Sequence, residues 1–490
     1  MDNKLHKKPS LIQALLPVML LIGMLSANVA IFSDNATYGP NQIALILAAA
    51  LAGLVGMKLN YTWEQMEDGI VLSIKSALPA ILILLLIGSL SGTWLLSGVV
   101  PSLIYYGLGI LTPKIFLFAT VIICAIASVA IGSSWTTIAT IGIALLGIGT
   151  ALGFDKPMIA GAIISGAYFG DKVSPMSDTT NLAPAMAGTD LFTHIRSMMY
   201  TTIPSIVITL IIFLVMGFQH SSVANPDNIE GIRQSILATF DVTPWLFLVP
   251  LAVLVLVLKK VPAIPALLIG TLLGALFALI FQPNLLHEVA GKDKSFWAAS
   301  YAALSRSMFT EISIHTNNIQ VNELLTSKGM SGMLNTIWLI MCAMIFGGIM
   351  ESTGLLQRIT QAVIGKVNSI GGLIASTSVS CIFFNTTASD QYLSIVVPGR
   401  MFADVYRKRG IRPEVLSRTL EDSGTVTSVL IPWNTCGAYQ ASVLSVATFA
   451  YLPYCFFNIL SPIVTIIFGY LFVKADLPKS EIEEVPAAVD

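Results

Sequence analysis

Asp171 and Asp178 flank Pro175 in the segment DKVSPMSDTTN, seven residues apart among Ser174, Ser177, Thr179 and Thr180. A proline removes a backbone donor and disfavours continued helix through such a stretch. With the chain unwound there, both carboxylates can face one cavity. Small hard cations take several oxygen ligands, which carboxylates, hydroxyls, amide oxygens and freed backbone carbonyls supply. A carboxylate that also accepts a proton lets proton and cation compete for one place. Three further segments are dense in hydroxyls and amides: GSSWTT (132–137), FFNTTASD (383–390) and GTVTSVLIPWNT (424–435).

The elements that must position these segments are membrane-spanning helices. Of 490 residues, 55% are hydrophobic and 11% charged, with a mean hydropathy of +0.80, against roughly 25% charged in a soluble domain. The apolar residues recur in stretches of about 20, enough for a helix to cross a hydrocarbon core. These stretches predict spans over residues 11–32, 41–57, 77–96, 196–218, 244–258, 262–281, 331–350 and 453–473. Two other apolar regions, 113–188 and 370–447, are interrupted by Gly, Pro, Ser and Thr, and they contain all four oxygen-rich segments. The expected fold class is an all-α polytopic membrane protein.

Charge and cysteine content narrow the reading. A formal net charge of −1 gives nucleic-acid binding no support. Cys124, Cys342, Cys381, Cys436 and Cys455 sit in apolar or hinge segments without disulfide or zinc spacing, and read as small core residues. The first apolar run, preceded by Lys4, Lys7 and Lys8, is too long for a signal peptide and lacks a small-residue cleavage site. That helix is expected to stay in the mature protein. A cytoplasmic N-terminus places Lys58, Arg196, Lys259, Lys260, Arg358, Lys366 and the basic cluster 400–412 inside, and Lys156, Arg233, Lys292 and Lys294 outside. This satisfies the positive-inside tendency and puts the acidic tail in the cytoplasm, where it is expected to be disordered.

The two interrupted regions also resemble each other. SGTWLLSGVV (91–100) parallels GGIMESTGLL (347–356), each ending a span and leading into an amphipathic stretch, 101–110 and 357–367. ASVAIGSSWTT (127–137) lies over TSVSCIFFNTT (377–387), Pro157 falls against Pro413, and SDTT (177–180) against WNTC (433–436). Matches in the same order point to an internal repeat, and the charge pattern gives the copies opposite senses. A backbone that leaves its helical hydrogen bonds in lipid needs other partners. Inverted repeats with interrupted helices mark secondary transporters, whose sites form where the breaks meet. The expected organisation is N-terminal scaffold helices (1–76), a first repeat with hairpin and broken helix (77–218), scaffold helices and loops (219–330), a second such repeat (331–474) and the tail (475–490).

An Asp at the centre of a span costs about 2.5–3.5 kcal/mol on insertion scales, so Asp171 and Asp178 read as functional. The alternative is that Asp171 pairs with Lys172 or lies near the outer interface. Asp390 joins the site or partners Arg400; Glu421 and Asp422 carry protons or pair with Arg418. Glu351 reads as a solvated interfacial acid. Glu311 and His315 are spaced like one helix face, yet their polar loop reads as wet surface. Trp135 and Trp433 wall a cavity or pack in the core.

The segments GSSWTTIATIGIALLGIG (132–149) and GDKVSPMSDTTNLAPAMAGTDLFTHI (170–195) resemble the NhaC-type sodium/proton antiporter family of the ion transporter superfamily. In general layout the resemblance covers nearly the whole chain. It implies sodium or proton exchange, a scaffold domain, a mobile transport domain with paired re-entrant hairpins, and a homodimer. Relatives exchange malate for lactate, and others move amino acids with sodium. By motif position it implies a site lined by Ser133, Ser134, Thr136 and Thr137, then Asp171, Ser174, Asp178 and Thr179, then Asn385, Thr386 and Thr387, and finally Asn434 and Thr435; Asp390 is added from its place after the third segment. Sodium is then expected at Asp178 and Asp171 with the hydroxyls of Thr136, Thr137 and Thr179. No cofactor is expected beyond transported or coupling ions. The expected setting is the lipid bilayer of a bacterial inner membrane, with both termini cytoplasmic. The amphipathic stretches fit an elevator-like motion on their own account, because a surface-lying helix can hold a sliding domain at fixed depth.

Other function classes find less support. HEVAG, beginning at His287, lacks the second His of HExxH, and no GxxxxGK[ST] loop is present. A metalloprotease and an ATP-driven pump are therefore disfavoured, and no enzyme is expected. Broken helices without a continuous polar pore favour alternating access over a channel. Sodium- or proton-coupled carriage of a small organic solute stays open, with Trp135, Asn385 and Asn434 able to hold a carboxylate.

Overall fold

Nine helices among the described residues are long and apolar enough to cross a membrane. The computed structural model describes residues 6–219, 226–291, 295–316, 322, 325–364 and 369–474. Six of the nine follow the hydropathy runs: Leu11–Phe32, Pro40–Lys58, Trp63–Leu96, Leu191–Gln219, Ala263–Phe281 and Ser331–Ser352. The other three, Pro113–Ile131, Ser134–Ala151 and Ile370–Thr387, lie inside the interrupted regions. Two expected spans prove to be halves of bent pairs: Pro244–Leu258 follows Ile229–Thr239 at 91°, and Phe456–Leu471 follows Thr448–Tyr454 at 59°. Pro244 and Pro453, without amide donors, stand next to these bends. The chain is a multi-pass, all-α membrane protein.

The boundary drawn between residues 76 and 77 falls inside Trp63–Leu96, a continuous 34-residue helix. Thr62 caps it by accepting from Gln65 N, while the Gln65 side chain returns to Thr62 N. The first turns, with Glu64, Glu67 and Asp68, are therefore helical although hydropathy passes over them. Glu311 and His315 lie on wet surface, as their polar loop leads one to expect, although the segment between them is not helical. Both are exposed, and they bracket Ile312–Ser313, which pairs antiparallel with Thr326–Ser327. The tail 475–490, Lys292, Lys294 and Lys366 lie outside the described residues. All five cysteines are buried and free.

Helices pack in two groups. Trp63–Leu96 lies against Leu334–Ser352 and Ala263–Phe281, and Pro40–Lys58 against Leu11–Phe32 and Leu334–Ser352. The second group joins Pro113–Ile131, Lys156–Val173, Leu191–Gln219, Ile370–Thr387 and Phe456–Leu471. Pro113–Ile131 meets Lys156–Val173 so closely that a methyl at Gly166 would stand 2.3 Å from the Val121 carbonyl oxygen. Small residues permit such approach between membrane helices. Helices Val99–Ile110 and Leu355–Ile364 occupy the two amphipathic stretches.

Each interrupted region holds two breaks. Gly132 ends Pro113–Ile131 at φ +73°, a left-handed turn that glycine adopts readily, and the Ser133 hydroxyl caps the next helix by accepting from Thr136 N. The second break separates Lys156–Val173 from Asp178–Ala187. The third follows Ile370–Thr387, where Ser389 takes φ +58° before Leu393–Lys408. The fourth runs from the π-helical turn Glu421–Thr425 through Ser428–Leu430 to Thr435–Leu444. The breaks are narrower than the oxygen-rich segments. Thr136 and Thr137 are already helical, and Asn385, Thr386 and Thr387 form a last turn, since hydroxyl content marks a stretch more broadly than its backbone departs from helix.

Candidate functional site

The breaks converge on a cavity of about 510 Å³. Asp171 and Asp178 reach it from either side of the second break, and Asp390 from the third. Ser133, Thr136, Thr179 and Thr435 line the same space. Ala77, Ala80 and Ile83 of Trp63–Leu96 and the turn containing Lys260 also line it. Three carboxylates, several hydroxyls and Lys260 thus share one space, although among the described residues no three acids stand close enough to hold one metal ion together.

The three acids are held differently. Asp171 is 7% exposed, and its Oδ2 accepts from the Ser134 amide at 3.0 Å and the Ser134 hydroxyl at 2.6 Å. Asp178 is exposed at the start of its helix. Asp390 is 2% exposed and accepts from Leu393 N at 2.9 Å, capping Leu393–Lys408 rather than pairing with Arg400. An acid near a helix N-terminus meets free amides there.

Other sequence-selected residues support the breaks from behind the cavity wall. The Thr137 hydroxyl donates to Ser133 O at 2.9 Å and the Ser174 hydroxyl to Val129 O at 2.8 Å. The Thr386 and Thr387 hydroxyls donate to Ile382 O and Phe383 O, one turn back. Asn385 Nδ2 donates to Gly424 O at 2.7 Å and to the Thr427 hydroxyl at 3.0 Å, while Asn434 Nδ2 donates to Asn385 O at 3.0 Å. These amides supply the partners that an unwound membrane backbone requires. Trp135 lines the cavity and stacks on Tyr439, with ring centroids 4.0 Å apart. Trp433 donates to Thr386 O at 2.7 Å.

Three pairings that the sequence left open resolve otherwise. Lys172 does not neutralise Asp171; it bonds Asp422. Arg418 pairs with neither Glu421 nor Asp422, but lies 4.8 Å from the Phe468 ring centroid and reaches the Ser197 hydroxyl at 3.5 Å. Glu421 is fully buried and accepts from the Thr179 hydroxyl at 3.0 Å, and its Oε2 makes no well-formed hydrogen bond. Glu351 is half-buried. A lysine in the middle of an apolar run signals a buried acid partner, but nothing local to Lys172 indicates which acid.

The family described as "Na+/H+ antiporter family" matches residues 166–472. The chain is 39% identical over 453 residues to the Na(+)/H(+) antiporter NhaC of Alkalihalophilus pseudofirmus, covering 92% of this chain and 95% of that protein. It is 39% identical over 433 residues to the malate-2H(+)/Na(+)-lactate antiporter of Bacillus subtilis, with coverage of 88% and 89%. Similarity to the arginine/ornithine antiporter ArcD of Halobacterium salinarum is 36% identity over 470 residues, or 95% and 93%.

Proposed function

The chain belongs to the NhaC-type Na+/H+ antiporter family, and from that premise we propose that it is a secondary active transporter exchanging sodium for protons by alternating access. The supporting observation is that Asp171, Asp178 and Asp390 line one cavity together with hydroxyl groups. Sodium is held at Asp171 and Asp178 with the hydroxyls of Thr136 and Thr179 and support from Thr137 behind them; a proton arriving at a carboxylate displaces it. Ser134 orients Asp171, and Asn385 and Asn434 keep the unwound segments satisfied while the cargo is bound.

The setting is a bacterial inner membrane with both termini cytoplasmic, as the distribution of Lys and Arg favours. The interrupted regions, related by inversion, form the moving part of an elevator-like homodimer. Sodium and protons are the only ions required, no resident cofactor is needed, and the chain is not an enzyme. If the exchange is unequal, membrane potential adds about 2.3 kcal/mol per elementary charge per 100 mV.

A second reading has its own support. A cavity of about 510 Å³ falls in the size range of small-molecule sites, roughly 300–1,000 Å³. Sodium- or proton-coupled carriage of a small organic solute, such as a carboxylate or an amino acid, is therefore the alternative. Purified protein in proteoliposomes distinguishes the two: a sodium pulse with an internal pH dye, repeated with malate, lactate and amino acids. Proton movement driven by sodium alone is expected. Movement only when an organic solute is present would select the second reading.

A further inference from the structure

Lys172 is the chain neighbour of Asp171, the buried acid at the cation cavity, yet its ammonium points away. It bonds Asp422, 250 residues distant in sequence, and both side chains are fully buried. Lys172 Nζ also donates to the Ser461 hydroxyl at 3.0 Å. Asp422 Oδ1 accepts from that hydroxyl at 3.0 Å, and Oδ2 accepts from the Thr201 hydroxyl at 2.7 Å. Four elements thus meet at one buried pair: Lys156–Val173, Leu191–Gln219, Glu421–Thr425 and Phe456–Leu471.

Stability alone is a weak reason for such a pair, because apolar residues of similar volume often do as well or better. Its location offers another reason. Lys172 carries the same charge as sodium and directly follows Asp171, although successive helical side chains do not face each other and Asp422 holds the ammonium away from that acid. Glu421 is the other carboxyl within the ammonium's electrostatic reach. Arg418 and His194 also lie within electrostatic reach of Asp422. Arg418 contacts the Ser197 hydroxyl at 3.5 Å and the Phe468 ring, and His194 Nδ1 hydrogen-bonds with Ser417 at 2.8 Å, while Arg418 Nε and Nη2 and His194 Nε2 find no hydrogen-bond partner among the described residues.

We propose that Asp422 is a positioning residue that keeps the Lys172 ammonium out of the cation site, so that Lys172 becomes an internal competitor of sodium once Asp422 is neutralised. The proposal rests on the reading of Asp171 as a cargo-binding acid.

The test measures sodium-driven proton flux by the full chain in proteoliposomes as a function of sodium concentration. Asp422→Asn is expected to raise the sodium KM by roughly tenfold or more with a smaller change in maximal rate. Adding Lys172→Met to Asp422→Asn removes the competitor and returns the KM to near the wild-type value. A wild-type KM in Asp422→Asn overturns the proposal, and so does a double variant whose KM stays raised. If Asp422→Asn alone fails to fold, the double variant decides: near-wild-type KM supports the proposal, and monodisperse protein with a raised KM or no flux overturns it. Loss of folded protein in both variants would mark the pair as purely structural and also overturn it. Absence of sodium-driven flux in the wild-type chain removes the sodium reading together with this proposal, whereas the variant outcomes bear on the proposal alone.

Discussion

Asp171 and Ser134 are bound twice, since Asp171 Oδ2 accepts both the amide and the hydroxyl of Ser134. The pair joins the second break to the first and aims the carboxyl by the backbone of a helix start. Charge-assisted bonds of this kind are stronger than neutral ones, so the carboxyl is held in place by the protein itself.

Asp171→Asn is expected to abolish sodium-driven proton flux in proteoliposomes while the protein stays monodisperse. Ser134→Ala keeps the acid but loosens it, and should raise the sodium KM more than it lowers the maximal rate. Wild-type kinetics in Asp171→Asn would exclude this residue from cargo binding.

Asp178 is exposed, so Asp178→Asn should leave the melting temperature unchanged and still abolish the flux. Thermal unfolding and the pH-dye assay on one preparation separate the two effects. Retained flux would remove Asp178 from the mechanism.

Sodium binding should stabilise the folded chain, by about 2.7 kcal/mol at a concentration one hundred times the Kd. Melting in sodium chloride against choline chloride at equal ionic strength reads this shift. The shift should vanish in Asp171→Asn, and its absence from the wild-type protein would argue against a sodium site.

Lys172→Met leaves the buried Asp422 without its cation. Breaking a buried pair in this way costs about 3–5 kcal/mol. Its melting temperature should fall further than that of Lys172→Met combined with Asp422→Asn, and the reverse order would show that the pair is not coupled.

Gly132→Ala places a side chain at φ +73°, with the new methyl 2.7 Å from Met176 Cβ. The left-handed backbone alone costs about 1–2 kcal/mol. A lower melting temperature and slower transport are expected together, because the first break is held at this residue.

The spans were legible because uninterrupted apolar length is a property of the chain itself. The start of Trp63–Leu96 was not, because its polar turns are held by the Thr62–Gln65 cap and carry no hydropathy signal. The breaks announced themselves through Gly132 and Pro175, residues with known backbone limits. Convergence of Asp171 and Asp178 followed from their spacing around Pro175. The Thr179 contact to Glu421 and the Lys172 bond to Asp422 span 242 and 250 residues, and no local pattern encodes which distant helix supplies the partner.

The cavity lining is mixed. Ser76 and Lys260 line it with the carboxylates and hydroxyls, and Ala77, Ala80 and Ile83 contribute apolar side chains to it. Enlarging or trimming those three residues redraws the room left for cargo without disturbing any ligand or the bonds that orient it. What the cavity admits can therefore change at its apolar lining residues while the oxygen-bearing ones stay as they are.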